Sequence, residues 1–96
     1  MLEKSIEQYL SHRVKKMGGR SYKFVSPGNA GVPDRLVCFP GGRVCFIELK
    51  APGKKPRPLQ IAAQDELKRL GFMVEIIDSK EQVDHFFDHL RGDRVK

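Results

Sequence analysis

Asp34, Glu48 and Lys50 carry charges that a strand ordinarily avoids, because a charged group taken out of water is costly unless something pairs with it. Asp34 directly precedes the apolar run 35–39, Glu48 closes the run 44–49, and Gly41 lies midway between the two carboxylates. If Pro40-Gly41-Gly42 forms a three-residue loop, Asp34 and Glu48 face each other across a hairpin, with Cβ atoms about 4.5–5.5 Å apart. Carboxylates that close repel unless a cation lies between them, the arrangement a hard divalent ion favours. Lys50, two residues past Glu48, shares its face of the strand. Such a group can hold Mg²⁺ to polarise a phosphoryl oxygen and activate a water, with the lysine as donor to the developing charge. A two-residue Gly41-Gly42 turn is the rival. It would pair Cys38 with Cys45 and send Asp34 and Glu48 to opposite faces. The three-residue loop is preferred, because the rival scatters three charges among apolar neighbours with no partners.

The elements that must position these residues follow from periodicity. Leu2, Ile6, Tyr9, Leu10, Val14 and Met17 make a helical stripe, which Gly18-Gly19 ends. Residues 21–25 read as a strand, residues 26–31 as a loop, and 35–39 with 44–49 as the hairpin. Both hairpin strands are apolar on both faces, so helices are expected on both sides of the sheet. Pro58 can open a second helix without losing a needed donor; its apolar stripe is Leu59, Ala62, Ala63, Leu67 and Leu70, and Gly71 stops it. Residues 72–78 are rich in β-formers. Ser79 and Gln82 form a capping box for a last helix through Phe86, Phe87 and Leu90. The order is αβββαβα, one domain over residues 1–91, with a basic tail at 92–96 expected to be disordered.

Charge is distributed unevenly. The 96 residues sum to +6, with 40% apolar and 31% charged residues, a globular balance rather than that of a disordered chain. Arg13, Lys15, Lys16, Arg20 and Lys23 fall in a stretch without carboxylates, and Lys50, Lys54, Lys55 and Arg57 form a second cluster. A one-sided positive field speeds encounter with a polyanion, and nucleic acid is the commonest such partner. No apolar run is long enough to cross a bilayer. The start Met1-Leu2-Glu3-Lys4 lacks the apolar core of a secretory signal. A cytoplasmic setting is therefore expected, with Cys38 and Cys45 as small apolar residues in a reducing environment.

Other signals fall short. Gly53-Lys54 lacks the following Ser or Thr and the first Gly of a phosphate loop. His85 and His89 share a helix face but lack an evident third zinc ligand, and the cysteines lack a patterned histidine partner for nucleophilic catalysis.

Gly31-Val32-Pro33-Asp34, the hairpin, Glu48-Leu49-Lys50-Ala51-Pro52 and Leu59-Gln60 resemble the VRR-NUC nucleases of the PD-(D/E)XK superfamily, over nearly the whole chain. The resemblance implies an α/β, restriction-endonuclease-like αβββαβα core, a mixed sheet flanked by helices. It implies Mg²⁺ or Mn²⁺ held by Asp34, Glu48 and the backbone carbonyl of Leu49, with Lys50 as the catalytic lysine and Gln60 supporting the site. A glutamate on the first helix completes the family's metal site, and either Glu3 or Glu7, one turn apart, is available. Stand-alone members resemble Holliday-junction resolvases and tend to be homodimers. The function expected is thus metal-dependent, structure-specific endonucleolytic hydrolysis of branched DNA; the alternative is a non-catalytic DNA-binding module of the same fold. Lys54, Lys55 and Arg57, with Arg35 and Lys23, are the expected phosphate contacts, which position a duplex without reading its sequence.

Overall fold

The computed structural model describes residues 3–95, with side chains described through Leu90. Helix α1 (Glu3–Lys16) buries Ile6, Leu10 and Val14 completely, one stripe at the i, i+4, i+8 spacing that faces a core. Leu2, expected to begin this stripe, lies outside the described residues. Strand β1 (Arg20–Lys23) is antiparallel to β2 (Arg35–Phe39), which is antiparallel to β3 (Arg43–Leu49). Helix α2 (Pro58–Arg69) then crosses over so that β4 (Met73–Ile77) pairs with β3 in parallel. Helix α3 (Lys80–Val95) closes the chain. The sheet is mixed, in the order β1-β2-β3-β4, and the element order is the expected αβββαβα.

The hairpin has the three-residue loop. Arg35 pairs with Ile47, Val37 with Cys45 and Phe39 with Arg43, so Asp34 and Glu48 meet across the ladder. Gly41 and Gly42 take φ of 90° and 81°, a left-handed region open to glycine at no steric cost. Cys38 and Cys45 point to opposite faces. β1 ends earlier than residue 25 because its last partner is Arg35, which pairs with Lys23; beyond it, the Phe24 N–H donates to the Asp34 carbonyl at 2.8 Å.

Alternation divides the sheet into two faces. On one, Val37, Phe39, Cys45, Ile47, Leu49 and Ile77 pack with α1 and with Val83, Phe86, Phe87 and Leu90 of α3. Tyr9 and Arg13 of α1 both donate to the Asp84 carboxylate of α3, tying those two helices together. On the other face, Phe46 meets Phe24 and Phe72 edge-on, with centroids 5.7 and 5.4 Å away, and α2 covers this side.

Helix α2 departs from expectation. Its inward positions are Gln60, Ala63, Gln64 and Leu67, whereas Leu59 is 58% exposed and Leu70 57%. The apolar stripe anticipated from Leu59 to Leu70 is therefore turned partly outward. The physical reason is the sheet beneath: it presents the buried carboxylate of Glu48, which an amide satisfies and a leucine does not. At the last helix the Gln82 N–H donates to Ser79 Oγ at 3.1 Å, as a capping box requires, but the Gln82 side chain reaches back to the Asp78 N–H instead. The α3 backbone stays helical to Val95 where a disordered tail was expected over 92–96, the arginines being good helix formers and one interior glycine tolerable. Lys96 and the side chains from Arg91 onward lie outside the described residues.

Candidate active site

Asp34 is held at the end of a loop anchored at several points. Pro33 is fully buried before it, and the Leu49 N–H donates to its Oδ1 at 3.1 Å. Gly31 sets the approach of this loop to α2. It has φ of +90°, and a Cβ there would lie 2.5 Å from the Leu59 carbonyl oxygen. Only glycine lets the loop lie against the first turn of the helix that carries Gln60.

Glu48 is 5% exposed and sits under that turn. Gln60 joins the two parts: its Oε1 accepts the Arg57 N–H at 2.8 Å, capping the helix start, and its Nε2 donates to Glu48 Oε2 at 3.2 Å. Lys50 Nζ stands 3.4 Å from the same Oε2. The other oxygen, Oε1, is buried without a hydrogen-bond partner.

The electrostatics are those of two crowded anions. Burial raises the Asp34 pKa above its ordinary value, the Leu49 N–H opposes that rise, and the charge of Glu3 adds to it. Burial likewise raises Glu48, and the neighbouring Asp34 charge raises it further against the pull of Lys50. A divalent cation between them would relieve both effects and fill the vacant coordination of Glu48 Oε1, so these residues fit Mg²⁺ or Mn²⁺. Among the described residues, no three His, Cys, Asp or Glu side chains gather closely enough to enclose an ion. The pair would need backbone carbonyl, water or substrate oxygens as further ligands, the habit of Mg²⁺.

The two helix glutamates part company. Glu7 forms an ion pair with Arg35, while the charge of Glu3 is felt at Asp34. Arg35, expected among the DNA contacts, is turned instead to the α1 side of the sheet by strand alternation, where Glu7 takes it up. Lys23, Lys54, Lys55 and Arg57 are exposed, the last three on the loop between Lys50 and Gln60. His85 and His89 line a shallow groove with Glu75 and Gln82 on the α3 side, apart from the carboxylate pair. Sequence reasoning missed the Glu7–Arg35 pair and buried Gln64; the four-residue spacing of Gln64 from Gln60 was the one available signal.

A mixed four-stranded sheet flanked by three helices, with opposed carboxylates at a hairpin end, defines the restriction-endonuclease-like α/β class. Among solved structures, one described as a VRR_NUC domain superposes with a TM-score of 0.85 at 32% identity, covering 91% of this chain and 95% of that one. A curated phage protein, "Putative nuclease p44" of Acyrthosiphon pisum secondary endosymbiont phage 1, is 52% identical over 79 residues, 82% of this chain and 85% of its own length. No family model matches. The chain belongs to the VRR-NUC family.

Proposed function

We propose that this protein is a metal-dependent, structure-specific DNA endonuclease that hydrolyses phosphodiester bonds in branched DNA such as Holliday junctions. The observation that carries the reading is the Asp34–Glu48 pair opposed across the hairpin, with Lys50 Nζ 3.4 Å from Glu48. Kinship with a phage protein named as a nuclease supports it.

Asp34, Glu48 and the Leu49 carbonyl would hold Mg²⁺ or Mn²⁺, with Glu3 reaching the ion through a bound water, Glu3 rather than Glu7 because Arg35 engages Glu7. Bound there, the ion supplies Lewis-acid polarisation of a phosphoryl oxygen and a lowered pKa for an attacking water. Lys50 supplies a donor to the charge that grows on the phosphate or orients the water. Gln60 fixes the Glu48 carboxylate plane through one oxygen. Lys54, Lys55 and Arg57 hold phosphates beside the scissile one, with Lys23 further out, so that backbone shape governs binding.

We also propose a homodimer acting within the cell. Tyr22, Val25, Leu59, Ile61, Leu70 and Phe72 expose large apolar side chains, surface that a second copy can cover, and a twofold pair of sites suits a symmetric junction.

The test incubates labelled four-way junction, flap and linear duplex with Mg²⁺, with and without chelator. Metal-dependent cutting that favours branched DNA is expected. Binding without cleavage in Mg²⁺ or Mn²⁺ would instead identify a non-catalytic DNA-binding module. Light scattering of the purified protein should give twice the monomer mass.

A further inference from the structure

Helix α2 buries two glutamines against the sheet. Gln60 is fully engaged, but Gln64, 2% exposed, has its Nε2 buried with no hydrogen-bond partner. An amide donor buried without an acceptor opposes folding, and an apolar residue of similar volume would avoid the cost. Glu48 Oε1 is its complement, a buried acceptor without a donor.

Both atoms belong to the α2–sheet interface. Gln60 Nε2 lies 3.2 Å from Glu48 Oε2, and Gln64 follows one turn later on the same helix face. Because α2 links the parallel strands β3 and β4, it starts at the Glu48 end of β3 and runs back along it. Helical side chains lean toward the helix N-terminus, which carries the Gln64 amide back toward Gln60 and Glu48. A buried donor and a buried acceptor that lack direct partners are the kind of groups an ordered water bridges in folded proteins.

We propose that Gln64 is a positioning residue for Glu48, its Nε2 donating to Oε1 through a single buried water. The two glutamines then steady the two carboxylate oxygens, and Oε1 keeps a second lone pair for the cation. This inference rests on the metal-site reading above.

Mn²⁺ alone, titrated into wild-type protein and Gln64→Leu and followed by electron paramagnetic resonance, tests it, with melting of the metal-free proteins measured alongside. The variant's Mn²⁺ affinity should fall about tenfold, as for other supports of metal ligands, while the metal-free melt shows that the variant is folded. A residue with a merely structural role would move the melt and leave Mn²⁺ affinity alone. Affinity within about twofold of wild type, set against that tenfold expectation, overturns the proposal. Gln64→Met, which keeps the side chain's length, is read the same way if the leucine variant fails to fold. Should wild type itself bind no Mn²⁺, the metal-site reading falls together with this one, whereas normal wild-type binding with an unaffected variant overturns this one alone. Independently, a crystal structure of the wild-type protein should show a water within hydrogen-bonding distance of both atoms, and a dry contact there overturns the proposal whatever the variants do.

Discussion

Asp34 and Glu48 are raised above their ordinary pKa values of 3.8 and 4.5, chiefly by burial. A carboxyl whose pKa is higher in the folded chain than in the unfolded one stabilises the fold at low pH, and that contribution is lost as pH rises through the folded value. The metal-free protein should therefore lose stability from these two groups as pH climbs above the ordinary carboxylate range. Asp34→Asn removes one charge and should melt higher than wild type at neutral pH while losing cleavage; equal melting across that pH range would contradict the sign. Mg²⁺ should raise the melting temperature of wild type more than that of the variant, since an ion that binds only the folded state stabilises it by mass action. Lys50 is tested differently. Lys50→Ala should cut the cleavage rate by about a hundredfold or more, the scale of one lost transition-state donor, and leave DNA binding near normal. Equal loss of both in a gel-shift and a cleavage assay would make Lys50 a phosphate contact only. Of these residues, the opposed carboxylates and the lysine could be read from spacing, because strand alternation and a symmetric loop are local rules. The choice between Glu3 and Glu7 could not be, since it depends on Arg35 reaching across from the sheet to α1.

At the level of elements, the junction of the 24–34 loop with α2 decides whether the site assembles. Gly31→Ala should destabilise the protein by about 1–3 kcal/mol, the usual cost of forcing a side chain into a left-handed conformation. It should also depress cleavage beyond what lost stability explains, because the displaced Leu59 backbone adjoins Gln60, which steadies Glu48. Thermal melts and cleavage rates measured well below the melting temperature separate the two effects; unchanged activity in a folded variant would show that the loop does not set the site. The same junction explains why α2 was misread from sequence. A helical stripe of leucines and alanines normally marks the buried face, but here burial follows what the sheet presents, and the sheet presents Glu48. The partner of a helix face is not written in the helix.

For the whole molecule, the carboxylate pair and the exposed bases of the loop that follows Lys50 are to be weighed together. Replacing Lys54, Lys55 and Arg57 together with alanine should weaken DNA binding alike for all sequences. It should lower the steepness of the log affinity against log salt plot by up to about 2.7, each phosphate contact contributing about 0.9. Binding measured from low to moderate salt checks this, and an unchanged slope would remove that loop from the interface. Arg57→Ala leaves in place the backbone N–H that caps α2 through Gln60, so the variant should keep its fold. The net charge of +6 predicted none of this detail. What matters is that the bases lie on the loop joining Lys50 to Gln60, the two residues that contact Glu48.

By itself, the sequence determined the element order and put Asp34, Glu48 and Lys50 at the outer ends of one hairpin, because glycine turns, period-two alternation and helix signals act over a few residues. Between two- and three-residue loops it gave a preference, and the strand pairing decided. Tertiary structure alone decided that Glu7 belongs to Arg35, that Gly31 lies against Leu59, and that Gln60 and Gln64 rather than Leu59 and Leu70 face the sheet from α2. Each of those is a contact between segments distant in the chain, where the fate of a polar group depends on what the fold places opposite it.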